Sequence, residues 1–348
     1  MEQLPLYAPK PNQGPRIVVI GGGHGLSNML RGLKQYTSHL TAIVTVSDNG
    51  GGSGHLRTDL GMPPPGDIRN CLEALANAEP LMTELMAYRF QEGRLAGQSF
   101  GNLFLAALNG ISPSFDMAVR RMSQVLAVTG QVLPVTTSDV QLCAQFENGE
   151  QVVGECELVE AKLARGSRIQ QVSLQPEHPE PLPQVLDAIA EADMIVFGPG
   201  SLYTSIIPNL LVSGMVEAIE GSSALKIYIC NVMTQPGETE EYTAGDHVEA
   251  VFQHAKAGLF DLCLGNNSPI AKAVAQRYAL EGSAPICNDV ERCAQMGVEL
   301  VVRPVAMVDE DGHVRHNPTD LARELLMLHA QRHVRIAGRD TKAYQIED

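Results

Sequence analysis

No apolar run in the 348-residue chain approaches the roughly 20 residues that a membrane-spanning helix needs. The opening residues, Met1 to Pro15, are Pro-rich and polar and lack the pattern of a secretory signal. Basic side chains are also in short supply, with 25 Lys and Arg against 40 Asp and Glu and a formal net charge of −15. That balance argues against a broad nucleic-acid surface and against binding to anionic membranes, yet permits a local basic pocket for a phosphorylated ligand. The seven cysteines (Cys71, Cys143, Cys156, Cys230, Cys263, Cys287 and Cys293) are odd in number and form no C-x-x-C pair. They read as buried thiols of a reducing compartment, the cytoplasm, and not as a disulfide or zinc framework.

Several catalytic signatures are missing as well. There is no H-E-x-x-H; His329 and His333 lie four apart but have no third ligand, so they read as a solvated helix face. In Gly198-Pro199-Gly200-Ser201-Leu202 the Ser follows the second Gly directly and no Gly comes two residues later, which speaks against a nucleophile elbow. No Ser/His/Asp set and no internal repeat stand out.

What is present is α/β patterning. The short apolar run Ile17 to Ile20 predicts a buried strand, and Gly21, Gly22, Gly23 and Gly25 follow it. Leu26, Met29, Leu30 and Leu33 then carry helical spacing. Strand, glycine turn and helix bring bare N–H groups and a positive helix end to one point, which suits a phosphate. His24 reads either as a donor to that phosphate or as a solvent-facing turn residue. The register is not G-x-G-x-x-G and no Walker Lys-Ser/Thr pair follows, so the turn is not a standard NAD or ATP site.

A second strand, Leu40 to Val46, runs into the glycine loop Ser47 to Arg57. Asp48 there could hold a ribose hydroxyl or Mg²⁺, although Asn49 beside it makes a thin metal ligand set. Asp67 reads as a capping acid for a helix starting at Ile68, or as a crevice residue together with Arg69. A helical insert covers about 68–128, and the turn before Asn102 is polar and Gly-flanked. The Asn148-Gly149 pair between Val140–Phe146 and Val152–Leu158 predicts a hairpin within a small antiparallel β excursion at about 139–175.

Parallel α/β order resumes with strands at Met194–Phe197, Lys226–Asn231, Asp261–Leu264 and Glu299–Arg303. Asn317-Pro318 opens the last helix. The tail after His333 is expected to be poorly ordered. Several strands end in polar, Gly-rich loops, and in an open parallel sheet such loops converge on one crevice. Gly198, Gly200, Ser201, Thr204 and Ser205 read as a phosphate loop or as a Pro-Gly turn with a helix cap. Tyr278 and Arg315 read, from the residues alone, as core packing and surface charge.

Six ordered stretches resemble the YvcK branch of the CofD-like family, whose members are called gluconeogenesis factors. They begin at Ile20, Thr45, Pro65, Ser99, Gly198 and Cys230; the resemblance runs from about Arg16 to Gln331. It implies a Rossmann-like, doubly wound, mostly parallel sheet with an added lobe, forming one domain at 16–331 between a 1–15 lead and a 332–348 tail. It also implies binding of a nucleotide-sugar such as UDP-N-acetylglucosamine, with a role in carbon metabolism and cell shape. The expected ligand-binding residues are Gly22, Gly23, His24, Gly25, Asp48, Asn49, Asn102, Gly198, Gly200, Ser201, Thr204, Asn231, Tyr278 and Arg315. The enzymatic cousins, 2-phospho-L-lactate transferases, use Mg²⁺; the alternative is therefore a Mg²⁺-dependent phosphotransferase with Asp48 as metal ligand and candidate catalytic group. The expected partner is a nucleotide-sugar or other nucleoside diphosphate, with neither nucleic acid nor membrane insertion, and the sequence is compatible with a homo-oligomer.

Overall fold

The computed structural model describes residues 14–343, without the side chains of Arg165 and of residues 333–343. Most of the expected N-terminal lead and the last five residues of the tail therefore lie outside the described residues. Along the chain, β1 (Ile17–Gly21) enters α1 (Gly23–Leu33), and β2 (Leu40–Val44) enters α2 (Gly51–Leu60) and α3 (Gly66–Leu75). Helices α4 (Pro80–Ala87), α5 (Phe100–Gly110) and α6 (Phe115–Val125) make up the rest of the insert, and β3 (Gln131–Pro134) follows. The excursion consists of β4 (Gln141–Phe146), β5 (Gln151–Val153), α7 (Glu155–Arg165) and β6 (Ile169–Gln175). Then come α8 (Pro183–Glu191), β7 (Met194–Phe197), the π-helical turn Leu202–Ile206, α9 (Ile207–Leu210), α10 (Met215–Gly221) and β8 (Leu225–Ile229). The chain continues through α11 (Ala244–His254), β9 (Leu262–Asn266), α12 (Lys272–Leu280), α13 (Val290–Gln295) and β10 (Glu299–Arg303). A short hairpin, β11 (Ala306–Val308) and β12 (Val314–His316), precedes α14 (Pro318–Ala343).

Seven strands form one sheet in the order β10-β9-β8-β7-β1-β2-β3, with every neighbouring pair parallel. β1 and β2 are buried along their whole length, as a sheet covered on both faces requires. Chain order reverses at β1, which lies between β2 and β7. That is a topological switch point, where loops diverge to opposite faces and leave a crevice. Ile20 pairs with Phe197, so the turns after β1 and β7 leave the sheet side by side. The Asn148-Gly149 hairpin forms as expected, with Gly149 at φ +85 and β4 between β5 and β6 in an antiparallel sheet.

Four elements differ from the expectation. β3 has no counterpart among the expected strands, because four residues after Gly130 carry too little pattern to register as one. The strand expected to reach Leu158 stops at Val153: Gly154, at φ +113, turns the chain, and Glu155 and Glu157 fall in the first turn of a helix. The glycine stretch after β2 is not an open loop but becomes α2 at Gly51. Gly54 permits this close return, since a Cβ there would lie 2.0 Å from the Asn49 carbonyl oxygen. Finally, α14 is capped by Asn317, whose Oδ1 accepts from the N–H groups of Thr319 and Asp320, but it runs past His333 to Ala343.

Burial also corrects two readings. Cys156 and Cys287 are exposed, although Cys71, Cys230, Cys263 and Cys293 are buried. His329 is buried rather than solvated, and the side chain of His333 lies outside the described residues. Among the described residues, no single helix is long and apolar enough to cross a membrane.

Gly32 sets the approach of α1 to α14: a Cβ there would stand 2.0 Å from the Pro318 carbonyl oxygen. Overpacking a contact of this kind costs about 1–3 kcal/mol. Gly32→Ala is therefore expected to lower the urea midpoint by a corresponding amount, and an unchanged midpoint would contradict this packing.

Candidate functional site

At the carboxyl ends of β1, β7 and β8 lies a cavity of about 500 Å³. It brings together Gly23, His24, Gly25, Asp48, Gly200, Ser201, Asn231, Tyr278 and Arg315 from the expected set. His24 and Ser201, far apart in sequence, share its lining. The other five expected residues are not on it. Gly22 lies behind the turn, where a Cβ would come 2.5 Å from an Asp67 carboxylate oxygen. Gly198, at φ +81, turns the chain out of β7, and Thr204 is buried, donating to Glu238 Oε1 at 3.3 Å. Asn49 faces a separate cleft. Its amide donates to Glu157 at 2.7 Å and its Oδ1 accepts from the Cys156 N–H at 3.0 Å, fastening α7 to the exit of β2. Asn102 is buried in α5, where its Oδ1 accepts from Arg69 Nε at 3.3 Å; it holds Arg69, which also pairs with Glu73 at 3.0 Å.

The N-terminus of α1 points into the cavity as the strand–glycine–helix pattern demands, but it already has an internal partner. Asp67 is the acid in the first turn of α3, as a capping-region residue would be, while the N-cap position itself is occupied by Pro65. The Asp67 carboxylate accepts from the backbone N–H of Gly23. Burial, reinforced by the nearby Asp48, pushes the Asp67 carboxyl up to about 6. Asp48 is raised by burial as well, although the Gly50 N–H donates to it at 2.7 Å. A third acid, Glu155 at the start of α7, also lines the cavity, and burial with Asp48, Glu238 and Asp67 nearby holds its carboxyl well above the usual range. Glu155 is missing from the expected set because the apolar pattern around it reads as a strand. The signal that could have found it is Gly154 followed by acids, a helix-start pattern.

The loop after β7 is anchored from below. Glu238 is 1% exposed; it accepts from the Tyr203 N–H at 3.2 Å as well as from Thr204, and burial raises its carboxyl to about 7. Ser201 Oγ accepts from Gln235 Nε2 at 2.7 Å. Across the cavity, Asn28 of α1 donates to the His316 carbonyl at 2.8 Å, and Tyr278 OH accepts from the Val314 N–H at 2.8 Å. These bonds fix β12 at the cavity rim. Tyr278 is thus half-buried at the rim and not in the core. Arg315 is exposed, bonded to Asp309 at 2.7 Å, and still faces the cavity.

Residues 17–306 match the family described as 2-phospho-L-lactate transferase CofD. The chain belongs to the CofD family. A Bacillus subtilis relative named "Gluconeogenesis factor" is 48% identical over 317 residues, spanning 91% of this CofD-family chain and 98% of its own. A Thermoanaerobacterium thermosulfurigenes relative, provisionally given the same name, is 53% identical over 314 residues, or 90% of this chain and 96% of its own. A crystal structure of a Bacillus halodurans protein superimposes with a TM-score of 0.87 at 45% identity, covering 90% of this chain and all of that one. These matches agree with the family and the doubly wound fold expected from the sequence.

Proposed function

We propose that this protein is a cytoplasmic gluconeogenesis factor that binds a nucleotide-sugar, UDP-N-acetylglucosamine or a close analogue, and links that ligand to carbon metabolism and cell shape. The observation that carries this reading is the meeting of the α1 N-terminus with Gly200 and Ser201 in one cavity. Backbone N–H groups and a helix dipole there favour an anionic head group. The wall formed by Asp48, Asp67 and Glu155 sets a condition on such a ligand. A diphosphate beside three acids needs a divalent cation between them, or protons on the acids. The three side chains offer oxygen donors only, the chemistry that Mg²⁺ takes; their carboxylates do not all converge within 4.8 Å, so one or two of them would hold the ion together with the ligand's phosphates.

Isothermal titration with UDP-N-acetylglucosamine, with and without Mg²⁺, tests the reading. In Gly200→Val, the added side chain starts from a Cβ 3.1 Å from the Gly22 carbonyl oxygen and 3.3 Å from Ser205 Cβ. Losing even one charge-assisted hydrogen bond costs about 1.5–3 kcal/mol, so affinity is expected to fall about tenfold or more. Equal affinity in the variant, or no binding by wild type, would refute this site.

The same acidic wall favours a second reading, a Mg²⁺-dependent phosphotransferase akin to the enzyme that gives the family its description. Mg²⁺ held by these acids would stabilise charge on a transferred phosphoryl group. Asp48 and Glu155 would position it, and the α1 N-terminus would orient the phosphates. Turnover of a nucleoside-diphosphate-linked substrate, abolished in Asp48→Ala, would favour this reading over a binding role alone.

A further inference from the structure

Beside the main cavity, and meeting it at Asn231 and Val232, is a second pocket of about 190 Å³. It lies at the carboxyl ends of β8 and β9, with Ala275 of α12 on its wall. Among the described residues, no Asp, Glu, Lys, Arg or His lines it, in contrast to the acids and Arg315 of the main cavity. A phosphate placed there would be desolvated with no counter-charge, whereas a neutral polar group would find partners.

Those partners are held in place from behind. Asn266 Oδ1 accepts from the N–H groups of Ser268 and Val305 at 3.0 and 3.2 Å. Ser268 Oγ accepts from the Ala306 N–H at 3.0 Å, and Asn288 Nδ2 donates to the Asn266 carbonyl at 2.8 Å. Asn231 is different. It stands where the two pockets meet, and its Oδ1 is buried with no hydrogen-bond partner among the described residues. A buried acceptor without a donor is unfavourable, and a ligand O–H or N–H placed against it would relieve that cost.

We propose that this side pocket takes the uncharged, hydroxyl- or amide-bearing ring of the ligand, a sugar, and that Asn231 selects for it by accepting a hydrogen bond. The proposal rests on the reading of the main cavity as the diphosphate site. UDP, UDP-glucose and UDP-N-acetylglucosamine, titrated into the full chain with Mg²⁺, test it. Wild type is expected to bind a UDP-sugar about tenfold or more tighter than UDP. Ala275→Phe fills the side pocket and is expected to keep UDP affinity while losing that preference. In Asn231→Leu the ratio of sugar to UDP affinity is expected to collapse towards one. Should Ala275→Phe fail to fold, Asn231→Leu and Asn231→Ala carry the test. Equal wild-type affinity for UDP and UDP-sugars, or a preference that survives in the Asn231 variants, overturns the proposal. Absence of any UDP or UDP-sugar binding to wild type removes the main-cavity reading itself, and this one with it.

Discussion

Asp67→Asn is expected to melt several degrees higher than wild type at pH 7.5. The carboxyl of Asp67, ordinarily near 3.8, is pushed up to about 6 by burial and by Asp48. Ionised at pH 7.5, it therefore costs the fold roughly 2–3 kcal/mol relative to the unfolded chain. Asparagine removes that cost and can still accept the Gly23 N–H. The sign follows from proton counting. Between about pH 4 and 6 the folded state holds more protons than the unfolded state, so wild-type stability rises as pH falls through this window. Glu238, raised to about 7, acts in the same direction from slightly higher pH. The advantage of the Asn variant is full above pH 6, shrinks as pH drops, and is gone near pH 4. Thermal unfolding of both proteins at pH 7.5, 5 and 4 gives the answer; a lower melting temperature for the variant at pH 7.5 would show that Asp67 is stabilising where it sits. A residue that destabilises the fold yet faces the cavity is the pattern expected of function retained at the expense of stability.

The sheet was readable because β1, β2 and β7 are short apolar runs ended by glycine or polar loops, and that shortness with flanking turn residues favours strands of a doubly covered sheet over buried helix. From those runs, convergence of the turns after β1 and β7 follows by topology. The small β3 could not be read, since four residues beside an insert carry no period. Polar side chains near the glycine turns were the harder problem. Asn49 and Asp48 are adjacent in sequence, yet Asp48 faces the cavity and Asn49 clasps α7 on the other side. Asn102 sits one helix away, holding Arg69. Composition marks such residues as polar and near a turn, but only the packing of a distant segment decides which way an amide points. Asp67 shows the same limit in reverse: its local position suggests a cap, and its actual partner is the start of a different helix.

The two glycines that open α1 should fail in different ways when replaced, and the difference separates backbone strain from loop contact. Gly23 sits at φ +71, and among the described residues a Cβ there would have only Ser205 Oγ nearby, at 3.9 Å. Gly23→Ala therefore meets a conformational penalty of about 1–2 kcal/mol in open space. Asparagine tolerates that region better than alanine, so Gly23→Asn is expected to recover part of the lost melting temperature. Gly25 has no such backbone demand. A Cβ there would meet the Pro199 carbonyl oxygen at 2.8 Å and its carbon at 3.1 Å, which is main chain and cannot rotate away. Gly25→Ala must therefore push α1 from the Gly200–Ser201 loop at the switch point, and Gly25→Asn should be no better. If both loops grip one diphosphate, separating them removes at least two charge-assisted hydrogen bonds, and affinity for UDP-N-acetylglucosamine should drop about a hundredfold or more. Wild-type affinity in Gly25→Ala would mean that the loops do not act on a common ligand. A Gly23→Asn variant less stable than Gly23→Ala would mean that space, and not backbone conformation, is what keeps glycine at position 23.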